Sequence, residues 1–216
     1  MKKFLSATLL TTILLSPVNS FAAPEEIILP APNLTDNLSV MKAISERKSS
    51  RDFVDGDLSE GQLSKILWAA DGLNRPEKQR RVTPAGLSVY SIEIYAVTRQ
   101  GIYLYDNTNH KLNLIAAGDY RGLTTKGQEF VDKAAVNLVF VDNFDAQDSL
   151  SKMPQNFYLY NYIRVGTMVQ NVALAAQTEG LGNCVRGSIN TEEFAKVAKI
   201  PDSKNIILAQ SVGFIK

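Results

Sequence analysis

Arg47, Lys48 and Arg51 place three cations within five residues, with Ser49 and Ser50 between them. A guanidinium offers a fork of N–H donors and a serine adds a neutral hydroxyl, so such a run can hold a phosphate. It can equally be a solvated surface run. A second stretch with chemical potential is Gly180-Leu181-Gly182-Asn183-Cys184-Val185-Arg186-Gly187. Its glycines do not fit G-x-G-x-x-G, and it follows a helical segment instead of opening one, so it is not a dinucleotide fingerprint. Cys184 is the only cysteine and His110 the only histidine. One cysteine excludes an internal disulfide and a cysteine-built metal site. A single histidine with no obvious partner makes serine-triad and zinc-hydrolase chemistry poor readings. His110 reads as a surface residue and Cys184 as a small buried thiol.

The elements that must position these residues are legible in outline. A short helix through Met41, Ile44 and Ser45, capped by Ser39, leads into the basic run, and cations suit its C-terminal end. Ser59 and Gln62 form a capping box for a second helix, which presents Leu63, Ile66, Leu67 and Ala70 on one face and stops at Gly72. Trp68 reads as core packing. Asn74 to Arg81 is polar and basic, either a mobile rim of a site or an ordinary solvated loop. In Thr83-Pro84-Ala85-Gly86 the proline and glycine permit a tight turn and close backbone approach. Alternation from Tyr90 to Thr98 predicts a strand, followed by strands at Ile102–Tyr105 and Lys111–Ile115. Gln128 precedes a further strand, Ala135–Val141. The longest helix is expected over Asn156–Glu179, with Tyr158, Tyr162, Val165, Val169, Val172 and Ala176 at helical spacing and Gly180 as its αL cap. This helix has more apolar and small positions than one buried stripe needs, which predicts a second burial surface and an obligate dimer. A last helix begins at Thr191 and stops at Pro201, and Ile206–Val212 reads as a buried strand.

Lys2 and Lys3, the apolar run Phe4–Leu15 and Ser20-Phe21-Ala22 have the pattern of a Sec signal peptide cleaved after Ala22. Export to a bacterial periplasm is the expectation. The run is short for a transmembrane span, so no stable membrane insertion is expected. Residues 23–40 read as an N-terminal arm or linker that could pack on a dimer partner, and residues 41–216 as one domain. Lys and Arg number 23 against 22 Asp and Glu, which gives no case for nucleic acid or an anionic surface.

Arg47-Lys48-Ser49-Ser50-Arg51 resembles the R-x-S-x-R signature that opens FMN-dependent nitroreductase-fold proteins. The resemblance continues through Leu63–Gly72, Arg81–Gly86, Gln128 and Gly180–Cys184, in an order most similar to the SagB-type dehydrogenase branch. It implies an α+β fold, with a central mixed or antiparallel β-sheet flanked by helices, in a homodimer of domain-swapped type. It implies FMN as cofactor, held by Arg47, Lys48, Ser49 and Arg51, by Pro84, Ala85 and Gly86 from the other subunit, by Gln128, and by Gly182, Asn183, Cys184 and Gly187. No side-chain catalyst is implied, because the flavin carries the electrons. The residues alone leave Gln128 equally readable as a polar helix end. Ala85 stands where the family usually has serine, and Lys216 is the only late basic candidate for the phosphate. The resemblance implies ping-pong oxidoreductase chemistry between NAD(P)H, or another electron donor, and a small-molecule or peptide substrate. The alternatives are a peptide-modifying dehydrogenase and a non-catalytic flavin-binding protein. No Lys-Tyr dipeptide occurs in the chain, which counts against azoline oxidation.

Overall fold

In the strand β4 (Ile92–Thr98), Ile92, Ile94 and Ala96 point to one side and Tyr95 and Val97 to the other, and all five are buried. A strand apolar on both faces must be covered on both, and the computed structural model, which describes residues 22–35, 38–143 and 158–216, is built that way. The signal-peptide pattern, the segment 144–157 and the first turn expected of the long helix lie outside the described residues.

The chain runs β1 (Glu26–Ile28), α1 (Val40–Glu46), α2 (Glu60–Asp71), β2 (Leu73–Arg75), β3 (Arg80–Arg81), β4, β5 (Gly101–Asp106) and β6 (Lys111–Ala117). It continues with β7 (Val136–Asp142), α3 (Tyr158–Thr178), β8 (Gly182–Arg186), α4 (Thr191–Val197) and β9 (Asn205–Gly213). Seven strands form one sheet in the order β1-β6-β5-β4-β7-β9-β8, and β2 and β3 form a separate hairpin. Every strand pair in the sheet is antiparallel, so the fold is α+β with an antiparallel sheet. One face packs Ile92, Ile94, Leu138 and Phe140 against Leu63, Ile66 and Leu67 of α2 and Val165, Met168 and Val172 of α3. The other packs Tyr95, Val97, Val139 and Val141 against Phe194 and Ala198 at α4.

The expected caps are present. The Ser39 hydroxyl accepts from the Lys42 N–H, and Ser59 and Gln62 cap α2 reciprocally. Gly180 ends α3 with φ +67°. Helix α4 stops at Val197, ahead of Pro201, because Lys199 takes a left-handed φ of +55°. Three expectations need correction. The arm is no free linker: Glu26–Ile28 pairs with Lys111–Asn113 at the sheet edge. Asn74–Arg81 is no plain loop: it is a hairpin, with Arg75 paired to Arg80. Trp68 is only partly buried, and its indole N–H donates to the Leu73 carbonyl at the hairpin's start.

His110 is also more than a surface residue. Its Nδ1 lies 2.8 Å from the Tyr105 hydroxyl and its Nε2 2.8 Å from Ser64 Oγ, which itself donates to the Pro30 carbonyl at 2.6 Å. The Leu29 N–H donates to the His110 carbonyl. These bonds clamp the arm to α2 and to the turn before β6. Burial holds the imidazole pKa below its usual value, against a smaller upward pull from the Pro30 carbonyl. The unfolded chain therefore takes up the proton first, so this part of the stability is present above about pH 6.5 and is lost as pH falls below it. Urea midpoints at pH 7 and pH 5 should differ more in the wild type than in His110→Gln. Equal differences in the two proteins would refute the clamp.

Candidate functional site

At Arg47 the chain leaves the helical path of α1: its N–H closes the last turn on the Ala43 carbonyl, while its own ψ of 125° is extended. The next residues run along the edge of the sheet. Ser49 bridges Asn183 of β8, and the Ser50 N–H donates to the Asn183 carbonyl at 2.7 Å. Phe53 bridges Ile215, and the Val54 N–H donates to the Phe214 carbonyl at 2.9 Å. The basic run is therefore stitched at both ends to the last part of the fold. Gly182 permits this approach, since a Cβ there would lie 2.9 Å from the Ser50 Cβ and would collide with the Ile215 side chain.

Lys48, Ser49 and Arg51 are exposed and Arg47 is half-buried. Among the described residues, the side chains of Arg47, Lys48 and Arg51 form no hydrogen bond or ion pair. Several cations elsewhere in the chain find carboxylates, as Lys65 does with Glu179 and Lys204 with Glu93. Three cations gathered without a carboxylate, beside serine hydroxyls on a backbone held rigid by β8, make a donor set suited to a phosphate.

Gln128 is drawn to the same region. Phe53 packs on Phe130 with ring centroids 6.1 Å apart. Behind them Arg186, 4 % exposed, donates to the Thr124 carbonyl at 2.6 Å, to Asn137 Oδ1 at 3.1 Å and to Ser211 Oγ at 3.0 Å. Burial pulls its pKa down to about 10, so it stays charged at neutral pH, clamping the segment before Gln128 onto the sheet. The Gln128 side chain accepts from the Thr125 hydroxyl at 3.4 Å. Asn183 and Cys184 are buried in β8, with Cys184 a free thiol, while Gly187 is exposed just beyond the strand. The glycine-rich stretch is thus an edge strand that turns its backbone toward the basic run.

Three of the four expected stretches, Arg47–Arg51, Gln128 and Gly182–Gly187, therefore share one end of the sheet. The fourth, Pro84–Gly86, is held elsewhere. A Cβ on Gly86 would lie 3.1 Å from the Tyr160 ring of α3, and among the described residues no hydrogen bond or strand pairing joins this loop to the other three stretches.

What fixes that loop was not anticipated. Asp71, fully buried at the end of α2, accepts from Arg81, Arg164, the Thr83 hydroxyl at 3.0 Å and Asn107 Nδ2 at 2.9 Å. The Arg81 and Arg164 guanidiniums lie 4.5 and 4.9 Å from the centre of the Tyr90 ring, a cation–π arrangement that offsets part of the second positive charge. Burial lowers the Arg164 pKa, while the Asp71 carboxylate pulls it back up. The sequence did carry a signal: Asp71 stands four residues after Leu67, itself four after Leu63, on the buried stripe of α2. A carboxylate there requires buried donors.

Exposed apolar side chains remain outside this network, on α1 and on the first turns of α3. Ile163 of α3 is 64 % exposed and Met41 of α1 73 %, with Leu159, Tyr160 and Val40 also exposed nearby in the same helices. Patches of this kind mark contact surfaces more often than free ones.

Residues 44–214 match the Nitroreductase family. Two similar proteins carry the name "putative nitroreductase". One, from Methanocaldococcus jannaschii, is 26 % identical over 176 residues, which span 77 % of this chain and 87 % of that protein. The other, from Ralstonia eutropha, has a solved structure that superposes with a TM-score of 0.82 at 33 % identity, over 90 % of this chain and 91 % of that one. The NADPH:FMN oxidoreductase of Vibrio harveyi, solved with NAD+, shares the fold at a TM-score of 0.60 and 18 % identity, over 82 % of this chain and 69 % of that one.

Proposed function

The chain belongs to the nitroreductase family of oxidoreductases, and from that premise we propose that it is an FMN-dependent enzyme working by a ping-pong scheme in a two-fold dimer. The observation that carries this reading is the basic run itself, with the Arg47, Lys48 and Arg51 side chains unpaired among the described residues and its backbone tied to Asn183. Arg47, Lys48, Ser49 and Arg51 would hold the FMN phosphate and polar chain. Bound FMN would supply hydride or electron transfer. The Gly182–Gly187 stretch offers backbone close to the basic run, and Gln128 would offer an amide. Buried Cys184 would pack beside the cofactor without reacting, since the residue is 1 % exposed. No side chain is assigned as catalytic acid or base. Two-substrate kinetics should give parallel double-reciprocal lines. Intersecting lines would refute the ping-pong scheme.

The exposed face of α1 and α3 is the proposed dimer surface, and Pro84, Ala85 and Gly86, seated on Tyr160 of that face, would reach the partner's flavin. Each site would then need both chains. Ile163→Asp places a charge on the most exposed apolar position of α3 and should release monomer and FMN together, because partner binding stabilises only the native pair. Val169 is a poorer site for this test, since it packs on the chain's own core. Sedimentation at micromolar concentration checks it: an Ile163→Asp monomer that keeps its flavin would rule out the composite site.

The N-terminal pattern supports export to a periplasm, where NAD(P)H is expected to be scarce. We therefore read NAD(P)H oxidation as an in vitro half-reaction, with another donor, or an oxidisable small molecule or peptide, in its physiological place. A cytoplasmic protein with its N-terminus intact, found by fractionation, would remove this reading.

A further inference from the structure

We propose that Asp71 is a positioning residue for flavin binding, acting through Thr83 on the Pro84–Gly86 loop; this rests on the reading of that loop as part of a composite FMN site. Asp71 gathers donors from four separate places: Arg81 in β3, Thr83 at the mouth of the loop, Asn107 in the turn before β6, and Arg164 in α3. Two of the four concern the loop directly. The Thr83 hydroxyl is the last side-chain anchor before Pro84, and Thr83 is 1 % exposed. Arg164 holds α3, whose Tyr160 forms the seat for Gly86. One carboxylate therefore sets both the loop and the helix beneath it.

The other end of the loop is fastened independently. Arg80 donates to the Ser88 hydroxyl, and the Ser88 and Val89 N–H groups donate back to the Ala85 and Gly86 carbonyls. The hairpin that carries Arg80 and Arg81 is itself tied to α2, because the Val82 N–H donates to the Gly72 carbonyl at 2.9 Å. Pro84 has a fixed φ and no N–H to offer, so the placement of the three residues after Thr83 depends on the two bracketing bonds. Side chains of this kind act by holding binding groups in the productive geometry, and small displacements of such groups are costly. A purely structural Asp71 would instead affect stability and leave flavin affinity unchanged in molecules that remain folded.

Thr83→Val removes the hydroxyl at constant shape, and Thr83→Ser restores it. FMN affinity of the apo-proteins, read by quenching of flavin fluorescence, is compared with the thermal midpoint of the same apo-proteins. Thr83→Val is expected to raise the FMN dissociation constant about fivefold or more, with Thr83→Ser close to wild type and all three apo-proteins folded at the assay temperature. An unchanged dissociation constant in Thr83→Val, whatever its midpoint, would overturn the proposal by making the network structural only. Equal losses in Thr83→Val and Thr83→Ser would overturn it by removing the hydroxyl as the cause. A wild-type chain that takes up no FMN would be a different result, refuting the reading beneath the proposal and the proposal with it.

Discussion

Replacing Arg47 and Arg51 together by alanine is expected to weaken FMN binding by about two to four orders of magnitude while leaving the fold intact. Each guanidinium would contribute a charge-assisted hydrogen bond of about 1.5–3 kcal/mol, and every 1.4 kcal/mol or so is a factor of ten. Folding should be spared because neither side chain has a hydrogen-bond or ion-pair partner among the described residues. What holds this segment is backbone: the bridges of Ser49 to Asn183 and of Phe53 to Ile215. Titration calorimetry with FMN, alongside a thermal melt of the apo-protein, separates the two effects. A folded double variant that binds FMN within threefold of wild type would show that the basic run is not the phosphate site, and one that fails to fold would show that these side chains hold the fold.

Asp71→Ala should show a large loss of stability together with weaker FMN binding in the molecules that remain folded. It removes the only carboxylate that Arg81 and Arg164 pair with among the described residues, and both residues would be left with positive charge at a buried or nearly buried site. Breaking a buried pair from one side costs about 3–5 kcal/mol, a large share of the roughly 5–15 kcal/mol that holds a domain folded. The cost is expected at the upper end, because the Thr83 and Asn107 bonds are lost with it. Arg164 Nε and Nη1 already have no hydrogen-bond partner among the described residues. Chemical denaturation measures the effect. A midpoint close to wild type would mean that water or a rearranged Tyr90 replaces the carboxylate.

Local chemistry decided how much could be read from the chain. The caps at Ser39 and Ser59, the αL stop at Gly180 and the alternation through Ile92–Thr98 are short-range signals, and each appears where it was expected. The arm strand Glu26–Ile28 has three residues and no alternation of its own, so only its long-range pairing with Lys111–Asn113 makes it a strand. Gly182–Arg186 begins with a residue of poor strand propensity, and its pairing with Ala209–Gly213 overrides that. The hairpin Leu73–Arg81 is polar apart from Leu73 and Pro76, and Trp68 and Asp71, which precede it, bond its two ends.

The candidate site shows the same division. The cations of the basic run declared themselves by type and spacing. That Asn183 lies beside it and that the Gln128 segment is drawn toward it follow from a bridge across more than a hundred residues and from Phe53 packing on Phe130. The supporting residues Asp71, Arg164 and Arg186 are single charges in apolar stretches. Their partners come from distant elements, so the sequence marks that donors or acceptors are required without naming them. His110 is the same case: Ser64 and Pro30, its partners, stand far earlier in the chain.

The central claim, that the chain is an FMN protein, is tested most directly by the absorption spectrum of the purified protein, before and after denaturation. The expected result is a yellow protein with flavin bands that releases FMN, one per chain, when unfolded, and an apo-form that regains those bands on addition of FMN. A colourless protein whose spectrum does not change on adding FMN, while its circular dichroism shows it folded, would contradict it.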